Sequence, residues 1–143
     1  MEFRKIGDLP KPIKLILNAI LDKKGINPVV IDMRGGDTPA EFFIIVTGEA
    51  DTHIKTLLEE VEIKLKQEMG SIPFVREGTE TRRWAVLDYL DYVVHIMLPD
   101  ARDYYNLEDL WSDYPIYVVE ESGEMTITNE PTQDQVITEE RDG

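Results

Sequence analysis

Between residues 12 and 25 the apolar positions Ile13, Ile16, Leu17, Ile20 and Leu21 recur at i, i+3, i+4, i+7 and i+8, with proline near the start and glycine just past the end. That period predicts an amphipathic helix. Residues 29–33 are short, β-branched and followed by the turn signal Gly35-Gly36-Asp37, and they read as a strand. Residues 42–47 are apolar up to Thr47 and stop at Gly48, the pattern of a central strand covered on both faces. Asp51 then caps a second helix, in which Ile54, Leu57, Leu58, Val61 and Leu65 keep the 3.6 period until Gly70.

Residues 73–76 are expected to form a short edge strand. After a polar loop, residues 84–89 and 92–98 read as the two arms of a hairpin. A two-residue turn at Leu90-Asp91 sets Asp88 opposite Val93 and Val86 opposite His95. Side-chain alternation then puts Trp84, Val86, Asp88, Val93, His95 and Met97 on one face, and Leu87, Tyr89, Tyr92, Val94 and Ile96 on the other. Pro99 opens a third helix that resumes after Asn106 as residues 107–111. Residues 116–119 and 125–127 could add weak strands, whereas residues 130–143 are polar, acidic and expected to be disordered.

The chain has 143 residues, 42% of them hydrophobic, enough for one domain with its own core. We expect that domain to span residues 1–119, with an acidic tail over 120–143. The 29 acidic and 15 basic side chains leave a net charge of −14, which argues against wrapping DNA. Residues 112–143 carry nine acids and one base, a net of −8, so the body is only moderately acidic and suited to meeting a basic protein. The absence of cysteine excludes disulfides, thiolate zinc sites and a cysteine nucleophile. Neither a signal-like N-terminus nor a long apolar run is visible, so no membrane association and a cytoplasmic location are expected.

Candidate chemistry is sparse. The junction Thr47-Gly48-Glu49-Ala50-Asp51 resembles a phosphate cradle only in having one glycine between a strand and a helix, and it carries two acids where an anion would sit. Asp88 and Asp91 are three apart on a strand and its turn, a poor Mg²⁺ pair. His53 and His95 lack the spacing of a metal or nucleophile motif, and no cofactor is implied. Tyr104, Tyr105, Trp111 and Tyr114 cluster after Arg102, a composition that protein interfaces favour and that helix packing also explains.

Ordered segments carry more than any single motif. Val29-Val30-Ile31-Asp32, then Glu41 through Lys55 (EFFIIVTGEADTHIK), then Trp84 through His95 (WAVLDYLDYVVH), then Arg102 through Trp111 (RDYYNLEDLW) resemble the ribosomal silencing factor, or Iojap, family. Glu41, Ala50, Leu90 and Asn106 depart from its usual Asp, Ser, Gly and Asp. The resemblance implies an α/β domain with a mixed sheet of about five strands flanked by helices, similar to nucleotidyltransferases but without their catalytic signature. It implies a non-enzymatic factor that binds the large ribosomal subunit through that subunit's ribosomal protein fourteen, blocks joining of the small subunit and lowers translation when nutrients are scarce. A nucleotidyltransferase-like enzyme or nucleotide binder is the competing reading. A homodimer, through the first helix or an exposed sheet edge, stays open. The candidate binding residues are Trp84, Asp88 and His95 on the hairpin face, with Arg102, Tyr105 and Trp111 bordering or bracing them. The competing view of the same residues is a buried Trp84 with Asp88 and His95 bonded internally.

Overall fold

Prolines set the start of the first helix: Pro10 is its N-cap and Pro12 lies in its first turn, where a missing N–H costs no hydrogen bond. In the computed structural model, which describes residues 2–129, this helix, α1, runs Lys11–Asp22 and buries Ile13, Ile16, Leu17, Ala19 and Ile20. Strand β1 spans Ile26–Asp32 and begins earlier than the pattern predicts, because a bulge between Ile26 and Val29, with Asn27 at φ 50°, extends it backwards. Strand β2 is Phe42–Thr47. Helix α2 is Asp51–Met69; its N-cap is Ala50 rather than Asp51. No side chain caps this end; the His53 Nδ1 instead accepts the N–H of Glu49, just before the helix, at 3.0 Å. Gly70, at φ 66°, ends α2 in the left-handed conformation that glycine adopts without strain.

Strands β3 (Val75–Glu77), β4 (Trp84–Asp88) and β5 (Tyr92–Met97) follow, then the short helices α3 (Pro99–Tyr105) and α4 (Leu107–Leu110), and strands β6 (Ile116–Val119) and β7 (Met125–Asn129). They form one mixed sheet in the order β3-β4-β5-β2-β1-β6-β7. Only β2 and β5 pair in parallel; every other neighbouring pair is antiparallel. The sheet has seven strands, not five. The two segments after Pro115 look weak in isolation, but β6 buries Ile116, Tyr117 and Val119 and β7 buries Met125, so packing supplies what their composition lacks. The ordered domain therefore runs past residue 119, which falls at the start of the β6–β7 turn. The expected tail from 130 onward lies outside the described residues.

Two unequal layers cover the sheet. On one face α1 and α2 press Ile13, Ile16, Leu17, Ile20, Ile54, Leu57, Val61 and Leu65 onto Val30, Ile44, Val46, Leu87, Val94 and Ile96, all fully buried. Each such aliphatic side chain stabilises the fold by about 1.5–3 kcal/mol relative to exposure. On the other face the short α3–α4 segment contributes Ala101 and Leu107 to a smaller cluster with Val29, Ile31, Met33, Ile45, Met97 and Ile116. The amino-terminal residues close the β7 side: Met125 N–H donates to the Arg4 carbonyl at 2.8 Å, and Ile6 N–H to the Gly123 carbonyl at 2.9 Å.

Candidate functional site

Hairpin register comes out as predicted. Trp84 lies opposite Met97, Val86 opposite His95 and Asp88 opposite Val93, so the six expected residues share the face that α3 and α4 cover only in part. The parallel pairing of β2 with β5 sets Phe43 beside Val93 and Ile45 beside His95 on that same face. The result is a line of seven rings in contact: Tyr104, Tyr105, Trp84, His95, Phe43, Trp111 and Tyr114. Successive centroid separations are 5.0, 4.6, 6.0, 4.8, 5.7 and 6.2 Å, all within the range of favourable aromatic pairing.

His95 is the inner member of this line, only 7% exposed. The Trp84 Nε1–H donates to its Nδ1 at 3.1 Å. An indole can only donate, so Nδ1 is the unprotonated nitrogen and the ring proton sits on Nε2, which has no partner among the described residues. Burial pushes the imidazole pKa down to about 4, against an opposing pull from Asp88. His95 is thus a neutral internal strut, and Trp84, half-buried between it and Tyr105, is braced on both sides. His95 takes the internal position of the competing view, whereas Trp84 is bonded internally and still keeps part of its surface exposed. Nothing in the arrangement offers a general base or a nucleophile with a partner.

Asp88 has a different task. Its Oδ1 accepts the Leu90 N–H at 2.8 Å, and Asp91 N–H closes onto the Tyr89 carbonyl at 3.0 Å, so the hairpin tip is a tight three-residue turn with Leu90 at φ 76°. This conformation is strained for leucine. The strain holds Leu90 54% exposed, on the wall of a groove of about 490 Å³ formed with Pro39, Ala40, Phe43, Val93 and Trp111, and carrying the carboxylates of Asp88 and Asp91. Gly36 supports the far end of the ring line, because a Cβ there would run into the Tyr114 ring.

Arg102, expected at the border, is spent internally. Its guanidinium binds Glu108 at 2.7 Å and reaches the Thr47 hydroxyl at 3.0 Å, with only 11% of the side chain exposed. It ties α3 and α4 to the end of β2. Tyr105 is half exposed, and Trp111 sits edge-on to Phe43 as part of the groove wall. Asp103 and Asp109, both exposed, have no ion-pair partner among the described residues and add negative charge to the α3–α4 segment. The sequence pattern singles out neither Phe43 nor Leu90. Phe43 sits in a run that looks uniformly buried, and the available signal for Leu90 is a large apolar residue at a turn position that favours glycine.

The competing phosphate cradle is closed. Gly48 N–H donates to the Met97 carbonyl at 3.0 Å, the Glu49 N–H is taken by His53, and a Cβ on Gly48 would strike Ile54. Among the described residues no cluster of three or more potential ligands could hold a metal, and no helix is long and apolar enough to cross a membrane.

A family model described as "Ribosomal silencing factor during starvation" matches residues 7–142. The chain belongs to the ribosomal silencing factor family. Among its relatives, "Ribosomal silencing factor RsfS" of Halalkalibacterium halodurans is 38% identical over 108 residues, 76% of this chain and 92% of the relative. The mouse protein "Mitochondrial assembly of ribosomal large subunit protein 1" is 31% identical over 75 residues, half of this chain and 32% of that protein. The crystal structure of protein CV0518 from Chromobacterium violaceum superposes with a TM-score of 0.68 at 35% identity, covering 71% of this chain and 84% of that one. Translation regulation and ribosome binding follow from membership of the silencing factor family. The mixed α/β class expected from the sequence is the fold found.

Proposed function

We propose that this protein binds the large ribosomal subunit with its aromatic face and so keeps the small subunit from joining, lowering translation under nutrient limitation. The partner on this reading is ribosomal protein fourteen of the large subunit, and the action is steric and non-enzymatic, in the cytoplasm. The observation that carries it is the ring line ending in a groove whose wall includes Leu90, an apolar side chain held in water by a strained turn. A domain with no contact to make there gains nothing from that strain, whereas an interface gains a rigid apolar anchor. The acidic rim suits a basic ribosomal protein and favours its approach by electrostatic steering. The relatives' names, silencing factors and a large-subunit assembly protein, support the same direction.

Blocking requires only a rigid patch. The ring line is built on β4, β5 and β2, the middle of the sheet, and docking there leaves the α1–α2 layer projecting as the obstacle. Co-sedimentation with purified large subunits, small subunits and whole ribosomes tests the reading: binding should be confined to large subunits and should fall at least tenfold in Leu90→Asp. Equal binding to small subunits overturns it. Micromolar binding of Mg²⁺ and a nucleoside triphosphate near Gly48, measured by calorimetry, would instead favour the enzyme reading. Self-association on this view uses the β3 edge, where Ile72 and Phe74 are exposed, and light scattering of Phe74→Asp should then report a monomer.

A further inference from the structure

The groove walled by Pro39, Phe43, Leu90 and Trp111 also carries the carboxylates of Asp88 and Asp91, and neither has an ion-pair partner among the described residues. Its walls are fixed. The Asp91 carbonyl accepts the N–H groups of Glu41 at 2.6 Å and Phe42 at 3.2 Å, which locks the β4–β5 turn onto the start of β2. The Thr38 hydroxyl donates to the Ala40 carbonyl at 2.8 Å and holds the loop that leads into β2. The groove therefore has its shape before any contact is made, and little ordering is left to oppose binding.

Such a groove makes two demands on its occupant. Its apolar walls favour a group that leaves water, yet a purely apolar group would strip water from two carboxylates and give them nothing in return. A small hydrated cation would meet the carboxylates and leave the walls wet. A long aliphatic stem that ends in a positive charge meets both demands with one side chain. We infer that the groove receives one lysine or arginine side chain of the basic partner, its stem along Phe43, Leu90 and Trp111 and its charged head at Asp88 and Asp91. The inference rests on the proposed docking role of this face and names the group that the groove reads. Asp88 Oδ1 already accepts the Leu90 N–H at 2.8 Å, which leaves its Oδ2 and the Asp91 carboxylate to take the charge-assisted hydrogen bonds. Leu90 and Asp88 thus act as a unit: the carboxylate that steadies the turn also helps to bind the cation whose stem the turn supports. An acidic residue presented at the same place is repelled, so the subsite selects the partner by charge as well as by shape.

The side chains cut free of a backbone, n-butylammonium for lysine and n-propylguanidinium for arginine, test this on the full chain, with neutral n-propylurea as the uncharged control. In amide-resonance titrations at least one cation should move Ala40, Phe43, Leu90 and Val93 together and spare Leu57 and Val61 on α2, with an affinity about tenfold or more above that of n-propylurea. The tighter of the two cations names the side chain. The double variant Asp88→Asn, Asp91→Asn keeps an oxygen for the Leu90 N–H and the backbone carbonyl that holds Glu41 and Phe42, so the turn survives. It should lower the cations to the level of n-propylurea and weaken large-subunit binding about tenfold or more. Equal affinities of the cations and n-propylurea for the wild type, or cations that bind the double variant unchanged, overturn the inference. If the cations prefer the wild-type groove while both proteins bind large subunits equally, the cation subsite stands and the docking role of the face falls.

Discussion

The two faces of the sheet are built from the same strands and differ in almost everything else. The α1–α2 face is aliphatic, covered by 12- and 19-residue helices, and leaves its central residues with no accessible surface. The opposite face is aromatic, covered by helices of seven and four residues, and keeps Tyr104, Tyr105, Leu110 and Leu90 in water. Stability is concentrated where burial is complete, and the proposed recognition where it is not. The strained turn, the orphaned imidazole N–H and the acidic rim all lie on the second face, where a partner can repay them.

The largest expected difference between the faces is in folding. Leu57→Ala on α2 empties a fully buried site and should cost about 2–5 kcal/mol in urea unfolding, with the affinity of the folded fraction for large subunits unchanged. A loss under about 1 kcal/mol would mean that the aliphatic layer is not the main support. The next effect distinguishes the two faces by pH. The unfolded His95 takes up a proton near pH 6.5 that the folded one refuses until about 4, so stability falls as pH drops through that window. The loss reaches on the order of 3 kcal/mol at the lower end. The difference in stability between the wild type and His95→Gln should therefore shrink from pH 7 to pH 4.5, and a constant difference would show that the imidazole is hydrated or paired.

Binding effects come next. Leu90→Asp and Trp111→Ala should each weaken large-subunit binding by about 2 kcal/mol, some thirtyfold. Leu90→Asp should leave the thermal midpoint within a few degrees, since the side chain buries little. The smallest effect has the opposite sign for stability. Leu90→Gly relieves the positive φ and should raise stability by up to about 1 kcal/mol while still weakening binding. A glycine variant that loses stability and keeps affinity would erase the division of labour between the two faces.

Which residues share the aromatic face is legible in the sequence, because hairpin register is local and alternation fixes the rest. Parity alone groups Trp84, Asp88 and His95 as the structure does. What each does there is not legible. Asp88 serves Leu90 only because Leu90 adopts φ 76°, and His95 is internal only because Trp84 and Phe43 close over it. Phe43 reaches the line through a parallel pairing with β5 that skips a whole helix, and no neighbouring residue records that partner. Likewise β7 is stabilised by β6 and by residues 4–6 far back in the chain, so its own five residues carry only a weak signal.

The clasp between the amino-terminal segment and β7 orders events in time. Phe3 N–H reaches the Tyr117 hydroxyl across 114 positions of sequence, and Arg4 and Ile6 bind Met125 and Gly123. During synthesis Phe3 can pack on Phe42 as soon as β2 exists, but the backbone partners of Arg4 and Ile6 are missing until β7 has been made, while α1, β1, β2 and α2 can already collapse together. Closure of the β7 edge is thus a late step. The sheet of this protein is complete only once the ribosome producing it has translated β7.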